Sequence, residues 1–505
     1  MISEKRTKPV FVVGATGYVG GRLVPLLLHK GFTVRILVRN PTKLQGRAWC
    51  PHARLEVMTG NILDRDVLTQ AMNGCGIAYY LVHSMQNEVV DFRETDREAA
   101  IIMRETAESV GLERIIYLSG LGEVDSDLSR HLRSRTEVGI LLKEGRVPVT
   151  ILRAAMIIGS GSASFAILRH LVERLPIMVT PRWVDTPCQP ISIRNVLGYL
   201  IGCLANEKTV GETFDIGQER IVTYRELMHT YAKVVGLHRR IILPVPILSP
   251  RLSSYWIHIF TPVPAYLARP LAQGLRNPVV CKDFRIRALI PQRLLDCKDA
   301  IFLASGKVQS NGVETSWRDA GRIPLFEEAL PTDPAWSKQT RFKDIRYIDL
   351  DVSPAAAWKA VTGIGGTTGW YYANWLWTLR GFIDRLLGGV GLQRGRRRGQ
   401  VLRPGDVIDF WRVAVADQES KLVLAAEMKL PGEAFLEFHL EKLAAEKIRI
   451  RQVARFLPRG LTGFCYWYAV SPLHNLVFDG MLRGIAKASR GALIKGPVRL
   501  KNQDV

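Results

Sequence analysis

Short apolar runs alternate with amphipathic stretches over the first third of the chain. Six runs rich in Val, Ile and Leu occupy residues 10–13, 33–38, 55–58, 77–82, 114–118 and 149–152. The stretches between them, among them 20–29, 64–73 and 92–110, repeat apolar residues at helical spacing. Strands and helices that alternate in this way build a parallel sheet. The pattern predicts an α/β, doubly wound parallel Rossmann sheet whose ligand lies at the carboxyl ends of the strands.

The pattern changes after residue 345. A strand over 346–352 precedes a helix that Ser353-Pro354 opens as N-cap and first-turn residue. Alternating runs then predict an antiparallel meander, and Ser471-Pro472 is expected to begin a last amphipathic helix. The four runs of the meander are 407–416, 421–428, 434–440 and 447–456. In the last run, Ile448 and Ile450 share one face and Arg449 and Arg451 the other, so one face of this sheet is expected to meet water.

The length of the chain and its Pro-rich and polar stretches indicate domain boundaries. A chain of 505 residues is long enough for two or three domains. We predict a Rossmann domain over 1–236, a Pro-rich helical extension over 237–305, a polar linker over 306–344, an α+β domain over 345–490 and a tail over 491–505.

Charge and cysteine content narrow the partners and the compartment. The net charge of +22 favours anionic partners, which include nucleotide phosphates, an acidic membrane surface and nucleic acid. The seven cysteines are scattered without a CxxC pair, so neither disulfides nor a zinc site is predicted. No apolar run suits a signal peptide or a membrane span. A cytoplasmic protein without metal is expected, and a peripheral position at an inner membrane face is the alternative.

A glycine-rich loop follows the first predicted strand. The sequence Gly14-Ala15-Thr16-Gly17-Tyr18-Val19-Gly20 stands at the mouth of a predicted helix. In such a loop the first glycine permits the tight turn, the second lets the backbone approach a pyrophosphate, and the third lets helix and strand pack closely. The spacing alone is weak, and its position between strand and helix is what predicts a dinucleotide site.

The residues at the end of the second predicted strand indicate whether the dinucleotide is NAD(H) or NADP(H). An NAD site normally carries Asp or Glu about 20 residues after the loop, but no acidic residue occurs from Gly31 to Pro51. Arg35, Arg39 and Lys43 surround the expected position instead. A guanidinium can hold a 2′-phosphate in bidentate fashion, so NADP(H) is favoured over NAD(H), with Arg39 as its ligand. A solvated Arg39 is the alternative.

These residues resemble the short-chain dehydrogenase/reductase superfamily, in its extended and atypical branches near the NmrA-like proteins. The resemblance covers about residues 9–235, and with the C-terminal part the arrangement is similar to the YbjT-like proteins. It implies contacts to the cofactor from Asn61 and Ile62 after strand three and from Leu81 and Val82 after strand four. The matching segments are Gly60 to Asp64, Tyr80 to His83, Tyr117 to Gly120, Arg153-Ala154, Gln189 to Ser192 and Gly211 to Phe214.

The resemblance also implies catalytic positions, at which this chain departs from the family. The family uses a Ser together with a Tyr four residues before a Lys. Ser119 keeps the serine, whereas His131 and Arg135 stand where the Tyr and the Lys are expected. Histidine can move protons near neutral pH and Arg135 could hold a ribose, so Ser119, His131 and Arg135 are the candidates, with His83 a weaker one beside the cofactor.

Residues 345–490 are similar to the polyketide-cyclase and START-like group, which implies a helix-grip fold around an apolar cavity. An aromatic run could line this cavity, although ordinary core packing is the alternative. Its members are Trp370, Tyr371, Tyr372, Trp375, Trp377, Phe410, Trp411, Phe464, Tyr466, Trp467 and Tyr468. By this hypothesis the domain holds a hydrophobic small molecule, such as a quinone or a lipid, and presents it to the nicotinamide.

Two function classes follow, and one basic cluster stands apart from both. The first is an NADP(H)-dependent oxidoreductase or epimerase-like enzyme on a hydrophobic or carbonyl substrate. The second is a non-catalytic, dinucleotide-sensing regulator or assembly factor that binds a lipid, membrane or protein partner. For the cluster Arg394-Gly395-Arg396-Arg397-Arg398, a solvated loop is the simplest reading, followed by contact with anionic lipid, and nucleic acid is disfavoured.

Overall fold

The computed structural model separates the chain into two compact units, residues 1–321 and 322–505. The residues it describes are 8–45, 47–82, 92–122, 130–245, 257, 261, 263, 265–309, 315–316, 342–392, 401–444 and 446–500.

The first unit contains thirteen strands and ten helices among its described residues. The strands are β1 (Val10–Val13), β2 (Val34–Val38), β3 (Leu55–Thr59), β4 (Ile77–Tyr80), β5 (Arg114–Gly120), β6 (Val149–Ala154), β7 (Ile157–Ile158), β8 (Ile177–Pro181), β9 (Pro187–Cys188), β10 (Ile191–Ser192), β11 (Thr213–Ile216), β12 (Val222–Thr223) and β13 (Ile241–Val245). The helices are α1 (Gly20–His29), α2 (Arg65–Met72), α3 (Phe92–Ser109), α4 (Arg130–Lys143), α5 (Ala163–Arg174), α6 (Ile193–Ala205), α7 (Tyr224–Val234), α8 (Ala265–Gly274), α9 (Arg285–Leu289) and α10 (Cys297–Gln309).

Seven of these strands form one parallel sheet. Their order is β3-β2-β1-β4-β5-β6-β11, so the chain moves outward in one direction from β1 and then crosses to build the other half from β4. The six predicted strands lie in this sheet, and the Rossmann-type α/β prediction is confirmed. The change of direction between β1 and β4 creates the crevice in which such sheets bind their ligands.

Helices cover both faces of this sheet. Alternate residues of β1 point to opposite sides, and both sides are buried: Val10 and Val12 face α1 and α6, whereas Phe11 and Val13 face α2, α3 and α4. This burial explains why the strands are continuously apolar rather than alternating. The two helix layers thus bury both faces of the sheet.

The Pro-rich extension after α7 packs into a core that it shares with α5 and α7. Helices α5, α7 and α10 pack around Phe165, Leu227 and Ile301, which are at most 1% exposed. A parallel pair of strands, β8 and β13, borders this cluster. A capping box on α7, in which Thr223 and Glu226 exchange hydrogen bonds, fixes the start of that helix.

The second unit is an antiparallel sheet with three helices among its described residues. The strand order is β15-β16-β17-β18-β19-β14-β20. The elements are β14 (Phe342–Asp351), α11 (Pro354–Val361), α12 (Asn374–Leu386), β15 (Val407–Ile408), β16 (Trp411–Asp417), β17 (Lys421–Ala426), β18 (Gly432–Ala444), β19 (Lys447–Pro458), α13 (Gly460–Ser489) and β20 (Ala492–Leu500). Ile448 and Ile450 of β19 lie in the main core with Met481 and Leu482 of α13.

Two predicted boundaries in this unit are wrong. Helix α13 does not begin at Ser471-Pro472; it runs for 30 residues from Gly460 and contains Pro472. Both Pro472 and Tyr468, whose carbonyl loses its partner, are exposed, so the lost hydrogen bond lies on the solvent side. The expected tail after residue 490 is, in its described part, the strand β20 paired with β14.

The face of the second sheet that points away from the main core is only partly exposed to solvent. Arg449 and Arg451 keep about a third of their side chains exposed, at 32% and 34%. On the same face, however, Glu437 is fully buried, forms an ion pair with Arg455 and lies 2.9 Å from Nε2 of His439. Among the helices of the described residues, none combines the length and the hydropathy needed to cross a membrane.

Candidate functional site

The glycine loop joins β1 to α1 at the carboxyl edge of the first sheet. Gly14 has a φ of +91°, which a side chain would strain, and the amide of Gly17 donates to the carbonyl oxygen of Gly14 at 3.0 Å. The predicted cofactor residues Ala15, Thr16, Tyr18 and Val19 lie in this turn, and α1 begins at Gly20 as expected. The first-turn amides of α1 therefore border the loop.

The three glycines are required for different reasons. A Cβ on Gly14 would stand 2.6 Å from the carbonyl oxygen of Leu81, and one on Gly20 would collide with the carbonyl oxygen of Gly14. A Cβ on Gly17 would meet only the carbonyl oxygen of Gly14, at 3.2 Å, among the described residues. Gly14 and Gly20 thus serve packing, whereas Gly17 leaves space open above the loop. This arrangement fits a pyrophosphate at the helix N-terminus.

The residues after β4 form the second wall of the loop. The amide of Leu81 donates to the carbonyl oxygen of Val13 at 3.0 Å, and Leu81 and Val82 are half-buried beside the glycines. The fold therefore places Leu81 and Val82, two of the predicted cofactor residues, beside the glycine loop. His83 lies outside the described residues.

Arg39 is the first residue after β2 and is exposed. The next residue, Asn40, caps a short turn by accepting a hydrogen bond from the amide of Thr42 at 2.9 Å. Lys43 lies in that same turn. Arg39 is thus held at the carboxyl edge of the sheet, beside the strand that carries the glycine loop.

The expectation that Arg35 belongs to this cluster is wrong. Arg35 lies at the second position of β2, and the parallel register sets Glu56 of β3 beside it. The two side chains form an ion pair at 2.6 Å, and the guanidinium also donates to the carbonyl of Asn73 at 2.7 Å. Arg35 is therefore engaged with Glu56 and Asn73 near the amino end of β2, away from the carboxyl edge where a ligand is expected.

Asn61 and Ile62 follow β3 and lie in different environments. Asn61 is exposed, and its side-chain oxygen accepts from the amide of Leu63 at 3.4 Å. Ile62 is 8% exposed and packs in the core between the sheet and α2. Only the backbone of Ile62 is therefore available to a cofactor, whereas Asn61 presents its side chain.

Ser119 and Arg135 meet where β5 faces α4. The hydroxyl of Ser119 donates to the carbonyl oxygen of Arg135 at 3.3 Å, and the Arg135 guanidinium donates to the carbonyl of Leu118 at 3.3 Å. His131 lies one turn earlier on α4, but its side chain is outside the described ones. The fold thus brings two of the three candidate catalytic residues together.

Tyr117 lies beside this pair, in an environment that disfavours a role in proton transfer. Its hydroxyl donates to the Arg135 carbonyl oxygen at 3.1 Å. Burial raises the pKa of Tyr117, and the opposing effect of the Arg135 guanidinium is smaller. A tyrosine that is harder to ionise is a poorer proton relay at neutral pH.

Arg22 packs against the glycine loop at Tyr18. This residue was not identified from the sequence. This buried arginine donates to the carbonyl oxygens of Ser160 at 2.7 Å and Thr315 at 3.2 Å. Its guanidinium also lies 4.4 Å from the ring centre of Tyr18. Burial raises the pKa of Tyr18, whose hydroxyl has no hydrogen-bond partner among the described residues. The sequence signal that could have identified Arg22 is its position as a single cation in the otherwise apolar start of α1.

Arg153 and Asp215 form a second polar pair at the same edge of the sheet. They lie on the neighbouring strands β6 and β11 and make an ion pair at 2.7 Å. The other oxygen of Asp215 accepts the amide of Lys282 at 2.9 Å. Arg153, noted in the sequence only as part of the resemblance, therefore helps to fix the segment after residue 280.

The aromatic run of the second unit divides into two groups. Trp370 is 1% exposed, stacks on Trp377 and Phe410, and donates from Nε1 to Asp409 at 3.0 Å. Trp375 and Tyr468 are each 67% exposed. The expectation that all these rings line one interior space is therefore wrong for Trp375 and Tyr468, because the helices α12 and α13 turn them outward.

Two further expectations concern charge and metal. The cluster Arg394 to Arg398 lies outside the described residues. Within the described part of the chain, no group of three or more His, Cys, Asp or Glu side chains is arranged to hold a metal ion.

Two family models match the chain. The model described as NAD(P)H-binding covers residues 14–160, and a model for a protein of unknown function, DUF2867, covers residues 336–481. The first match spans the glycine loop and extends past β6.

Curated relatives match less than half of the chain. Cinnamoyl-CoA reductase 2 of Arabidopsis thaliana is 30% identical over 23% of this chain and 36% of its own length. Dihydroflavonol 4-reductase of Hordeum vulgare is 32% identical over 23% of this chain and 36% of its own length. Ceramide reductase of Caulobacter vibrioides is 24% identical over 47% of this chain and 74% of its own length. The chain thus spans little more than a third of the length of the first two.

Solved structures similar to the chain include a reductase and an NAD-bound enzyme. Triphenylmethane reductase of Citrobacter sp., complexed with NADP(H), has a TM-score of 0.49 at 18% identity and covers 58% of this chain and 99% of its own. WbmG of Bordetella bronchiseptica, in complex with NAD, has a TM-score of 0.48 at 15% identity and covers 63% and 98%. Taking the family matches and the sheet together, the chain combines a Rossmann-type parallel sheet, whose residues 14–160 match the NAD(P)H-binding model, with a C-terminal segment that matches the DUF2867 model.

Proposed function

We propose that the protein is an NADP(H)-dependent oxidoreductase or epimerase-like enzyme acting on a hydrophobic or carbonyl substrate, such as a quinone. The observation that carries this proposal is the open loop at Gly17, bordered by the start of α1 and by Arg39 at the end of β2. These features lie on adjacent strands at one sheet edge, as a dinucleotide with an extra phosphate requires.

Electrostatics favour the phosphorylated cofactor. Arg39 is exposed, and the sequence from Gly31 to Pro51 contains no carboxylate that would repel a 2′-phosphate. A guanidinium forms charge-assisted hydrogen bonds with phosphate oxygens, whereas with the 2′-hydroxyl of NAD(H) it gains much less. NADP(H) is therefore the preferred form in this proposal.

In this proposal Ser119, His131 and Arg135 each have a different role. The bound cofactor supplies or accepts a hydride. The hydroxyl of Ser119 holds the substrate oxygen, His131 moves the proton at that oxygen, and Arg135 holds the ribose. The hydrogen bond from Ser119 to the Arg135 carbonyl is long, at 3.3 Å, so it can be exchanged for one to substrate at little cost.

The C-terminal unit is proposed to be a helix-grip domain that holds part of the substrate. Gln452 of β19 lies on the sheet face that α13 covers and is 1% exposed. Neither polar atom of its carboxamide has a hydrogen-bond partner among the described residues. A buried amide without partners favours a polar group or water from outside the chain, since leaving it unpaired costs about 1–3 kcal/mol.

A second candidate is a non-catalytic regulator or assembly factor that senses the dinucleotide. Its support is the state of Arg135 on α4, whose guanidinium donates to the carbonyl of Leu118 in the neighbouring strand β5. The family's lysine and tyrosine are both replaced in this chain, and a cation occupied in this way is a weaker ribose ligand. In this candidate the second unit carries the partner or lipid response.

Turnover assays separate the two candidates. NADPH consumption is measured with a panel of quinones, aldehydes and nucleotide sugars for the full chain and for His131→Ala. The oxidoreductase proposal expects consumption with one substrate class and a loss of at least tenfold in the variant. Binding of NADPH without consumption of any substrate would favour the regulator, and an unchanged rate in His131→Ala would remove that residue from the mechanism.

A further inference from the structure

Arg380 of α12 is a cation that reaches the core of the second unit and finds only uncharged partners there. Its Nε and Nη2 atoms donate to the Sδ atom of Met428 at 3.1 Å and 2.9 Å, and Met428 belongs to the main core at 8% exposure. The guanidinium also lies 5.3 Å from the ring centre of Tyr466 on α13. A thioether is a weak acceptor and an aromatic ring carries no net charge, so neither contact neutralises the cation.

The carboxylate that follows Arg380 on α12 has other partners. Asp384 is 4% exposed, and its two oxygens accept the backbone amides of Lys429 at 2.7 Å and of Gly391 at 2.8 Å. None of the described carboxylates forms an ion pair with Arg380. An unpaired cation beside a buried core residue is costly unless an anion meets it, so an anion from outside the chain would be bound favourably at this position.

Two further hydrogen-bond donors of this core have no acceptor. Trp377 lies three residues before Arg380, on the same side of α12, and packs against the main core. Its buried Nε1 has no partner among the described residues, and the same is true of both polar atoms of the Gln452 carboxamide. Gln452 is 1% exposed, so water does not readily satisfy it. We call Arg380, Trp377 and Gln452 the interior donors.

Contacts between neighbouring side chains connect the interior donors to one region between α12, α13 and the sheet. Tyr466, on which Arg380 lies, is 5.4 Å from the ring centre of Phe456, and Phe456 shares the core face of β19 with Gln452. Burial lowers the pKa of His474 on α13 to about 4, and Arg380 is among the cations that act in the same direction. The guanidinium is therefore close enough to α13 to affect a second side chain of that helix.

We propose that this region of the second unit binds the carboxylate of an amphiphilic acid, a molecule with one carboxylate and an apolar body. A carboxylate is an acceptor-only group, and a guanidinium can pair with it in bidentate fashion. The indole N–H of Trp377 and the amide of Gln452 offer further donors, and core side chains such as Phe438 and Leu436 offer apolar contacts to the body. The inference rests on the proposed ligand-holding role of this unit and gives that ligand an anionic group.

Binding of decanoate and of 1-decanol to the full chain tests this assignment, because the two probes share an apolar chain and differ in charge. Both are titrated by calorimetry below their solubility limits at pH 7.5, at which the acid is ionised. We expect the wild-type chain to bind decanoate at least about tenfold more tightly than 1-decanol. Arg380→Gln should lower the affinity for decanoate at least about tenfold and change that for 1-decanol less than about twofold.

Three other variants identify the cause of any change. Arg380→Lys keeps the charge without the bidentate fork and should bind decanoate more tightly than Arg380→Gln does. Arg483→Gln, which removes an exposed arginine of α13, is the matched control and should leave both affinities unchanged. Gln452→Met replaces an unpaired amide by an apolar group of similar size, so its unfolding temperature without ligand should not fall, whereas its affinity for decanoate should fall.

The outcomes separate this inference from the proposed function. Equal affinity of the wild-type chain for the two probes would overturn the inference alone, because the unit would still hold an apolar ligand. Unchanged decanoate binding by Arg380→Gln would do the same. Failure of the wild-type chain to bind either probe would overturn the inference together with the proposed ligand-holding role. The comparison of the two probes on the wild-type chain does not depend on whether any variant folds.

Discussion

The hydroxyl of Ser119 donates a hydrogen bond to the backbone carbonyl of Arg135 over 3.3 Å, and this contact joins the end of β5 to α4. Because the partner is a backbone atom, replacing the Arg135 side chain would not remove it. Ser119 is 4% exposed, so its hydroxyl is held at the edge of the interior rather than turned into solvent. The residue is thus positioned by the backbone, and its single hydroxyl hydrogen can pass from the Arg135 carbonyl to a substrate oxygen.

Ser119→Ala is expected to lower kcat/KM for the reduced substrate by about 10- to 100-fold, because one hydrogen bond to the reacting oxygen is lost. The affinity for NADPH, measured by calorimetry, should change less than twofold. Ser109→Ala, an exposed serine at the end of α3, is the control. A Ser119→Ala protein with full activity would exclude this serine from the reaction.

Two glycine substitutions separate packing from ligand binding. Gly20→Ala brings a methyl group against the carbonyl of Gly14, so we expect a loss of about 1–3 kcal/mol in the free energy of unfolding. Among the described residues the methyl group of Gly17→Ala meets only the carbonyl oxygen of Gly14, at 3.2 Å, so this variant should unfold almost as the wild-type chain does. Its methyl group instead enters the space assigned to the pyrophosphate, and NADPH affinity should fall at least about tenfold.

Thermal unfolding and calorimetry on both variants measure these two effects. The Gly17→Ala variant is informative only if its unfolding temperature stays close to that of the wild-type chain. Wild-type NADPH affinity in Gly17→Ala would contradict the assignment of the pyrophosphate to this loop.

The sequence predicted this part of the molecule well because the signals there are local. The turn after β1 requires glycine at fixed offsets, and the apolar periodicity of α1 begins directly afterwards. The predicted helix over 20–29 and the observed Gly20–His29 coincide. Leu81 was reached only through the resemblance, because nothing in its own neighbourhood reveals that it packs on Gly14.

Features that depend on distant partners were missed. Arg22 contacts Thr315 across 293 residues of sequence, and no local pattern reports such a contact. Strand β20 contains Gly496-Pro497, which reads as a break in the sequence. It is nevertheless an edge strand paired only with β14, and proline is tolerated at an edge because one side of the strand makes no ladder.

Arg39→Asp is expected to reverse the cofactor preference. The substitution removes a cation from the end of β2 and adds a carboxylate that repels a 2′-phosphate and can accept ribose hydroxyls. The ratio of NADPH to NADH affinity should fall by about 10- to 100-fold, the value of one or two charge-assisted hydrogen bonds. Calorimetric titration with both cofactors measures this ratio.

Arg146→Asp is the matched control for the change in net charge. Arg146 is exposed in the turn before β6, at the amino end of that strand, which is the opposite edge of the sheet. It should leave the ratio unchanged. If Arg39→Asp also left the ratio unchanged, the assignment of Arg39 to the 2′-phosphate would be lost.

His474 of α13 is expected to make the second unit sensitive to acid. Burial lowers the pKa of His474 to about 4, and the guanidinium of Arg346 acts in the same direction. Asp344, whose carboxylate oxygen lies 3.8 Å from Nδ1, opposes this shift but does not outweigh burial. The imidazole is therefore neutral in the folded protein at pH values at which an exposed histidine is charged.

The sign of the effect follows from proton uptake. Unfolded His474 titrates near its ordinary pKa of about 6.5, so between pH 6.5 and about 4 the unfolded chain binds a proton that the folded chain does not. Stability should be unaffected by this group above pH 6.5 and fall as the pH is lowered, by up to about 3 kcal/mol near pH 4. His474→Gln, which cannot be protonated in this range, should show a shallower decline. Denaturant unfolding followed by tryptophan fluorescence at pH 7.5, 6 and 5 measures the difference, with the exposed His238→Gln as control. Parallel pH profiles for wild-type and His474→Gln would show that the buried imidazole is not a source of the acid sensitivity.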